Sequence, residues 1–359
     1  MNIGFEASSL ASRVPTGIYR YGTNLISSIV SEINKEEGDK ISLFYKISRW
    51  KERQLWWRHP QSQVRVYQGK YWPIIKDVDL IHGLDCFVPP WKGIRKFITI
   101  HDLLVVLSDD ENISSRDFRL KKRHQYEISA QSADIIISVS LSTKRDIINL
   151  FDVPEDKIYV VYPGVEERFF YEDRKKSKII LDKYKLYPGY LLFVGSISGR
   201  KNTERLVRAY AESKLSKDFP LVLAGSISYR GENTIKAIRD CGIEKNVRIL
   251  GYVSDEDLPS LYTNAVGFLF PTIYEGFGIP ILEAMASGLP VLTSNTGAAH
   301  EISGSFAKKV DPYDIDSISE GIDSILNFSS EIIIQAKNHA RSFRWERSAQ
   351  EILAIYKIQ

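Results

Sequence analysis

Residues 274–288 read YEGFGIPILEAMASG, and this stretch decides how the rest of the chain is interpreted. It follows VGFLFPT, an apolar run typical of a buried strand, so YEGFG is predicted to be the loop at that strand's carboxyl end. Pro280 suits the first turn of a helix, because an N–H group in that turn has no intrahelical acceptor and its absence from proline costs no hydrogen bond. Gly288 suits the C-terminal cap of that helix. The stretch therefore predicts a strand, a loop, a helix and then the strand PVLTS.

Two glutamates lie at the ends of this turn, Glu275 in the predicted loop and Glu283 in the first turn of the predicted helix. Between them, Gly276 and Gly278 allow backbone N–H groups to face a ligand with no side chain in the way. A helix N-terminus attracts phosphate, and carboxylates accept hydrogen bonds from hydroxyl groups. The pattern suits a nucleotide sugar, which carries hydroxyls at both ends and phosphate between them. Favourable contact with the helix dipole would explain the glutamates without a ligand.

The bulk properties of the chain set wide limits. It has 359 residues, about twice the usual size of one domain, with 43% hydrophobic and 26% charged residues, as in globular proteins. Its net charge of +3 is too small to indicate a nucleic-acid partner. Two distant cysteines, Cys86 and Cys241, favour reduced thiols in a cytoplasmic protein. The sequence shows no signal-peptide pattern and no membrane-spanning apolar run, so we expect any membrane association to be peripheral.

Short apolar runs alternate with amphipathic stretches, which favours an α/β fold with mainly parallel sheets. The predicted strands are MNIGFEA, ISLFYKI, VRVYQG, VDLIHG, KFITIHD, ADIIISVS, YLLFVGS, PLVLAGS, VRILGYV, VGFLFPT and LPVLTSN. The predicted helices are YRYGTNLISSIVSEI, STKRDIINLF, TERLVRAYAES, ILEAMAS and SAQEILAIYKI. The stretch YVVYPGVEERFF, with Pro163 and Gly164, leads into the charged EDRKKSK at 172–178, and this region is interpreted as the link between two doubly wound domains. A single large α/β domain is the alternative.

Several segments, in order along the chain, resemble retaining glycosyltransferases of family 4. YEGFGIPILEAMASGLPVLTSN resembles the donor-site signature of that family. Further matching segments are TGIYRYGTNL at 16–25, ITIHDLL at 98–104, FVGSISGRKNTERLVRAY at 193–210, LGYVSDEDLPSLYTNA at 250–265 and the closing FRWERSAQEILAIY. The resemblance implies the GT-B fold, in which two doubly wound Rossmann-like domains face each other across a cleft. It also implies an acceptor-binding domain at 1–165, a nucleotide-sugar-binding domain at 166–340, and a helix at 341–359 that crosses back to the first domain.

Arg200 and Lys201 follow a predicted strand and precede a predicted helix. Two fixed cations there can neutralise the diphosphate leaving group as charge develops, although a solvated charge pair before a helix is also common. The resemblance assigns both residues to the phosphates and Glu283 to the ribose hydroxyls. It also assigns Glu275 to the donor sugar and reacting centre. The other donor-binding residues that it implies are Gly276, Phe277, Gly278 and Ile279 through backbone N–H groups, and Tyr252 and Val253 near the base.

His101 ends the strand KFITI and begins a loop, where a histidine is often only a satisfied polar group. By resemblance, His101 contacts the donor sugar from the first domain and is, with Glu275, a catalytic candidate. Asp102 is expected to orient the loop or to contact the acceptor. Gly17 is expected to let the backbone approach the phosphates, or else to be an ordinary turn glycine.

The resemblance implies transfer of a hexosyl group to an acceptor hydroxyl with retention of configuration, the leaving phosphate taking the acceptor proton. A D-x-D pair can hold a metal-bound nucleotide sugar in other transferases, and this chain has DVD at 77–79 and DID at 314–316. Charged caps explain both, so we expect no metal and no cofactor, with Arg200 and Lys201 serving instead. A nucleotide-sugar 2-epimerase and a catalytically silent sugar-nucleotide-binding subunit are the competing hypotheses.

The stretch at 46–72 is basic and aromatic, and it includes Trp56 and Trp57. Its aromatic rings suit stacking on an acceptor sugar or contact with an anionic inner membrane, unless the stretch is merely half-buried structure. RLKKRHQ at 119–125 is a second basic cluster. A lipid-linked saccharide, as in O-antigen or capsule assembly, is the favoured acceptor, with the protein on the cytoplasmic face of the membrane. VGSISGRKN resembles bacterial mannosyltransferases, so GDP-mannose is the favoured donor, and UDP-hexoses remain open.

Overall fold

The computed structural model describes residues 1–12, 15–33, 39–69, 77–111, 113–171 and 173–358. The chain divides into two compact units. Unit 1 comprises Met1–Val106, Asp117–Gly164 and Arg344–Gln359, and unit 2 comprises Leu107–Arg116 and Val165–Phe343. The chain thus passes between units at Gly164 and Val165, beside the boundary placed after residue 165 in the sequence. The short segment Leu107–Arg116 belongs to unit 2 although unit 1 surrounds it in sequence, a division that no sequence pattern indicated.

The secondary structure alternates along both units. The strands are β1 (Asn2–Glu6), β2 (Lys40–Lys46), β3 (Ser62–Tyr67), β4 (Leu80–Gly83), β5 (Arg95–Ile100), β6 (Ile135–Ser138), β7 (Ile158–Val160), β8 (Tyr190–Val194), β9 (Leu221–Ala224), β10 (Val247–Gly251), β11 (Ala265–Phe270), β12 (Val291–Ser294) and β13 (Lys308–Val310). The helices are α1 (Gly17–Ile33), α2 (Leu104–Leu107), α3 (Arg116–Ser132), α4 (Leu141–Leu150), α5 (Arg174–Tyr184), α6 (Thr203–Glu212), α7 (Glu232–Asp240), α8 (Leu258–Thr263), α9 (Ile279–Ala286), α10 (Gly297–Ser303), α11 (Ile315–Asp323), α12 (Ser330–Ala340) and α13 (Trp345–Tyr356).

Every strand and helix predicted from the sequence is present, which confirms the α/β fold. Strands β7 and β13 were missed, because three residues are too few to show a period. The predicted link contains the crossing at Gly164 and Val165, but its charged end was wrongly interpreted, since Arg174 begins helix α5. The Asp173 carboxylate caps that helix by accepting hydrogen bonds from the N–H groups of Lys175 and Lys176 at 3.1 and 3.0 Å. Glu172 lies outside the described residues.

Unit 1 contains one parallel sheet with strand order β3-β2-β1-β4-β5-β6-β7. Its central strands read as continuous apolar runs because helices cover both faces of a parallel sheet. The last helix, α13, packs against α1 in this unit. Its Tyr356 hydroxyl hydrogen-bonds with Nδ1 of the buried His82, and the Arg95 guanidinium donates to the Tyr356 carbonyl at 2.8 Å. Residues from both ends of the chain therefore contribute to the core of unit 1.

Unit 2 contains a second parallel sheet with strand order β10-β9-β8-β11-β12-β13. In such a sheet, the loops at the carboxyl ends of the strands lie along one edge, where ligands bind. The loops that follow β8 and β9 touch at this edge. A Cβ added to Gly225 would lie 1.8 Å from the Gly195 carbonyl oxygen, so only glycine fits there.

Helix α9 connects β11 to β12 in unit 2. It begins after Gly278, whose φ of 102° is left-handed, and it has Pro280 in its first turn, as predicted. Gly288 follows its end with φ of 74°. The N–H groups of Gly288 and Leu289 donate to the carbonyls of Met285 and Ala284, both at 3.0 Å, which is the Schellman pattern. The prediction of a glycine cap is confirmed.

Candidate active site

The loop after β8 brings two cations to the carboxyl edge of the unit 2 sheet. A short 3-10 turn, Gly199–Lys201, carries Arg200 and Lys201. The next residue, Asn202, is nearly fully buried and has φ of 60°. Its side-chain N–H group donates to the carbonyls of Pro271 at 2.8 Å and Pro312 at 2.6 Å. These bonds fix the cationic turn against the end of β11.

Lys201 forms an ion pair with the first glutamate of the 274–288 stretch. Its Nζ lies 2.6 Å from Oε1 of Glu275, and the two side chains are only 13% and 7% exposed. The ammonium also lies 5.0 Å from the centroid of the Phe270 ring, on the strand before the loop. The structure thus joins two predicted site residues that are far apart in sequence.

Thr272 connects the two loops of this site. Its hydroxyl donates to Glu275 Oε1 at 2.8 Å and lies 3.3 Å from the Arg200 carbonyl oxygen. The same carbonyl accepts a hydrogen bond from the N–H of Ile273 at 3.3 Å. The Ser294 hydroxyl, at the end of β12, donates to the Thr272 carbonyl. Neither Thr272 nor Asn202 was predicted as a site residue; the signal for Asn202 was its position directly after the cationic pair, and Thr272 had none.

The loop before α9 combines a glycine in a left-handed conformation with a packed aromatic ring. Gly278 has a conformation that L side chains rarely adopt. Phe277 is only 5% exposed, and its ring packs edge-on against Phe343 at a centroid distance of 5.9 Å. The ring therefore has a packing role, while the predicted donor contacts of Gly276, Phe277, Gly278 and Ile279 concern the backbone alone.

Glu283 has different surroundings from Glu275. Helix α9 begins at Ile279, so Glu283 lies in the second turn, and its placement in the first turn was wrong. The residue is fully buried, and its Oε2 accepts a hydrogen bond from the Tyr262 hydroxyl at 2.9 Å. A ribose contact, which stays a prediction, requires part of this carboxylate to become accessible.

The predicted base-binding pair follows β10. Gly251 ends that strand with φ of 70°. The Tyr252 side chain is 43% exposed, whereas Val253 is buried. Tyr252 can therefore offer an exposed ring to a base, whereas Val253 can offer only backbone groups.

In unit 1, His101 follows β5. Its Nε2 donates to the Leu84 carbonyl at 2.8 Å, and its ring meets the Tyr21 ring edge-on at 4.6 Å. Asp102, beside it, is half-buried. Gly17 begins α1, and a Cβ added there would have no neighbour within 4 Å, so the fold described here does not itself require a glycine.

A buried polar network lies behind His101. His82 is fully buried, and its Nε2 lies 2.8 Å from the Thr99 hydroxyl, which in turn lies 3.2 Å from the Tyr21 hydroxyl. Burial, together with the nearby His101, lowers the pKa of His82 to about 3. His82 is therefore neutral near pH 7, and the network orients Tyr21 beside His101. No sequence pattern singled out His82.

The basic, aromatic stretch of unit 1 is partly structural. Trp56 is buried and stacks on Tyr45 with a centroid distance of 4.5 Å, and its indole N–H donates to the Arg49 carbonyl. Trp57 is half-buried, whereas Trp50 is 49% exposed. Of this stretch, Lys70, Tyr71 and Trp72 lie outside the described residues.

The two D-x-D sequences have structural partners. Asp77 pairs with Arg65, and the Asp79 carboxylate accepts a hydrogen bond from the N–H of Asn2 at 2.7 Å. Asp314 caps α11, and its carboxylate accepts from the N–H of Asp316 at 3.0 Å. Within the described ranges, no group of three or more histidine, cysteine or acidic side chains is arranged to hold a metal ion.

Two family models cover most of the chain between them. The model of group 1 glycosyl transferases matches residues 173–341, and that of glycosyltransferase family 4 matches residues 33–169. O-antigen chain mannosyltransferase B of Escherichia coli is 32% identical over 311 residues, which are 84% of this chain and 78% of that protein. The serotype-specific mannosyltransferase WbdA of Escherichia coli is 29% identical over 272 residues, 72% of this chain but 32% of that longer protein.

The fold also matches a solved structure. Sucrose-phosphate synthase from Thermosynechococcus elongatus superimposes with a TM-score of 0.78 at 19% identity, covering 99% of this chain and 98% of that one. Fold and sequence together define a glycosyltransferase with the GT-B fold. The chain belongs to glycosyltransferase family 4.

No helix among the described residues is long and apolar enough to cross a membrane.

Proposed function

We propose that this glycosyltransferase moves mannose from GDP-mannose to a hydroxyl of a lipid-linked saccharide, with retention of anomeric configuration, in bacterial surface polysaccharide synthesis. The observation that carries the proposal is the cluster at the carboxyl edge of the unit 2 sheet. There, Nζ of Lys201 lies 2.6 Å from Oε1 of Glu275, in the loop that leads into α9. A lysine ammonium suits a phosphate, and a carboxylate suits sugar hydroxyls. The names of the two Escherichia coli relatives support mannose as the sugar.

In the proposed reaction, the bond between the sugar C1 and the diphosphate oxygen breaks while C1 bonds to the acceptor oxygen. Arg200, Lys201 and the N–H groups at the start of α9 stabilise the negative charge that develops on the diphosphate. Glu275 accepts hydrogen bonds from sugar hydroxyls. The acceptor attacks from the face that the diphosphate leaves, and a phosphate oxygen takes the acceptor proton. Arg200 and Lys201 supply the positive charge opposite the diphosphate, a task that a metal ion performs in other transferases. We therefore propose that no metal is essential.

The remaining predicted site residues complete the proposal. Glu283 is proposed to hold the ribose, Tyr252 and Val253 the base, and His101 the sugar through its carbonyl or ring. Gly17 is proposed to admit the phosphates. Asp102, Trp56 and Trp57 are the proposed acceptor contacts, although the packing of Trp56 against Tyr45 leaves Trp57 the better candidate.

A peripheral membrane location fits the surface of α3. This 17-residue helix has two buried residues, Ser129 and Ala130, while Phe118 is 46% and Leu120 is 59% exposed. Its five arginines and lysines outnumber its two acidic residues, so it suits an anionic lipid surface. We propose contact with the cytoplasmic face of the membrane there. Binding to phosphatidylglycerol vesicles but not to neutral phosphatidylcholine vesicles is the expected result, and equal binding to both would contradict it.

The test of the function is transfer of labelled mannose from GDP-mannose into a lipid-linked saccharide extract, with EDTA in a parallel sample. We expect a labelled lipid product whose new linkage, by NMR, keeps the α configuration of the donor, with or without EDTA. An inverted linkage or strict dependence on added metal would contradict the mechanism. Labelling only from UDP-hexoses would change the donor. Conversion of the donor to its 2-epimer without acceptor would favour an epimerase, and no turnover of any donor would favour a silent binding subunit.

A further inference from the structure

We infer that Glu275 competes with the donor diphosphate for Lys201, and that Thr272 is the positioning residue that holds Glu275 when Lys201 turns to the phosphate. The inference rests on the proposed function, since it assumes that a diphosphate binds at Lys201. It predicts that Glu275, although needed for transfer, weakens the binding of the nucleotide product, so that removing its charge should tighten that binding.

The first support is that the two carboxylate oxygens of Glu275 are used differently. Oε1 accepts hydrogen bonds from Lys201 at 2.6 Å and from Thr272 at 2.8 Å. Oε2 accepts none from any residue that the structure describes. Both protein donors thus converge on a single oxygen, which leaves Oε2 as the atom that can accept a hydrogen bond from a sugar hydroxyl.

The second support is the shielding of the ion pair. The Lys201 and Glu275 side chains are 13% and 7% exposed, so solvent screens their charges poorly. A lysine ammonium has three N–H donors, and it can therefore contact a carboxylate and a phosphate together. When the diphosphate arrives, the hydrogen bonds and charge of one cation are divided between two anionic groups. The diphosphate consequently binds less tightly than it would to Lys201 alone.

The third support is the position of Thr272. The residue is fully buried, and Ser294 holds its carbonyl, so its hydroxyl has a fixed position beside Oε1. As the Lys201 ammonium shifts toward the phosphate, this hydroxyl still holds the Glu275 carboxylate in place. The bond to Thr272 thus keeps Oε2 oriented after the bond to Lys201 weakens. Competition of Glu275 for Lys201 would also help release the nucleoside diphosphate after transfer.

The test is calorimetric titration of GDP and UDP into the full chain and its variants. Glu275→Gln keeps the shape of the side chain but removes its charge, and we expect it to bind the preferred nucleotide about ten-fold more tightly, a change of about 1.4 kcal/mol. Glu244→Gln, at an exposed position of unit 2, is the matched control for net charge and should bind like the wild type. In a Lys201→Met background, Glu275→Gln should no longer tighten binding about ten-fold, because the shared cation is gone.

Unchanged or weaker nucleotide binding by Glu275→Gln would overturn the competition. Equal tightening in the Lys201→Met background would also overturn it, since the effect would not then pass through Lys201. If the wild-type protein binds neither nucleotide, the proposed function fails and the inference fails with it, a result distinct from either of these.

The role of Thr272 is tested by Thr272→Val, with Thr272→Ser as the matched variant that keeps the hydroxyl. We expect the valine variant to lose about ten-fold in kcat of donor turnover with little change in nucleotide affinity, and the serine variant to recover most of that loss. An equal loss in both variants, or a loss of nucleotide affinity equal to the loss of kcat, would contradict the positioning role. Circular dichroism and melting temperature check that each variant folds.

Discussion

The loop that carries Glu275 and the helical turn that carries Glu283 lie eight residues apart in sequence but have opposite environments. Glu275 contacts a cation and a hydroxyl through one oxygen, at the edge of the sheet where ligands bind. Glu283 is fully buried and contacts the Tyr262 hydroxyl. The comparison shows that two acidic residues of one motif can have different surroundings, one paired with a cation at the sheet edge and the other buried against a tyrosine.

The largest expected effect is on activity at Glu275. Glu275→Ala should reduce sugar transfer about 1,000-fold or more, because it removes the carboxylate proposed to contact the donor sugar. Its melting temperature should change little, since the flexible Lys201 side chain can turn toward solvent at the sheet edge once Glu275 is gone. The measurement is transfer of labelled sugar, with circular dichroism as the folding control. Near-normal turnover would remove Glu275 from the site.

Removing the side chains of Arg200 and Lys201 tests whether these two cations bind the diphosphate. Arg200→Ala combined with Lys201→Ala should weaken GDP binding by about 2–4 kcal/mol, which is typical of lost charge-assisted hydrogen bonds. The measurement is calorimetric titration, with Lys217→Ala, in the same unit but away from the loop, as the control. Unchanged affinity would mean that the diphosphate binds elsewhere.

Loss of Glu283 should lower stability more than loss of Glu275 does, in addition to removing the proposed ribose contact. Glu283→Ala leaves the buried Tyr262 hydroxyl without this partner and should lower the free energy of unfolding by about 1–3 kcal/mol. The double variant with Tyr262→Phe should lose less than the sum of the two single changes. Chemical denaturation measures both. A stability loss at Glu275 as large as that at Glu283 would break the comparison.

The smallest expected effects concern two glycines. Gly278→Ala should cost about 1–2 kcal/mol of stability, because φ of 102° is strained for any residue with a Cβ. Gly17→Ala should leave stability unchanged, since a Cβ there meets none of the described residues within 4 Å. Loss of transfer in a stable Gly17→Ala variant would show that a ligand, and not the fold, requires the glycine. Destabilisation by Gly17→Ala would contradict this.

Local pattern predicted the elements well, because alternating apolar runs and helix-end residues such as Pro280 and Gly288 act over a few neighbours. Local pattern failed for elements too short to show a period and for features that depend on residues distant in sequence. Three-residue strands such as β13 have no period, and the placement of Leu107–Arg116 in unit 2 depends on tertiary packing.

The site was predicted as a set of residues but not as an arrangement. The ion pair of Lys201 and Glu275 joins positions 74 residues apart, and only the folded sheet brings them together. Thr272 has no distinctive sequence signature, since its role comes from the burial and hydrogen bonds of one hydroxyl. The second-turn position of Glu283 follows from a helix that starts at Ile279, a boundary that sequence patterns fix only to within a few residues.

The most direct test of the account is calorimetric titration of GDP and of UDP into the wild-type protein, each with and without magnesium. If Arg200 and Lys201 hold the diphosphate without a metal and the donor is GDP-mannose, the protein should bind GDP tightly and UDP weakly, with little change when magnesium is removed. Tight binding of UDP alone would assign a UDP-hexose donor. Binding of neither nucleotide would contradict the central claim that the loop of Lys201 and Glu275 is a nucleotide-sugar site.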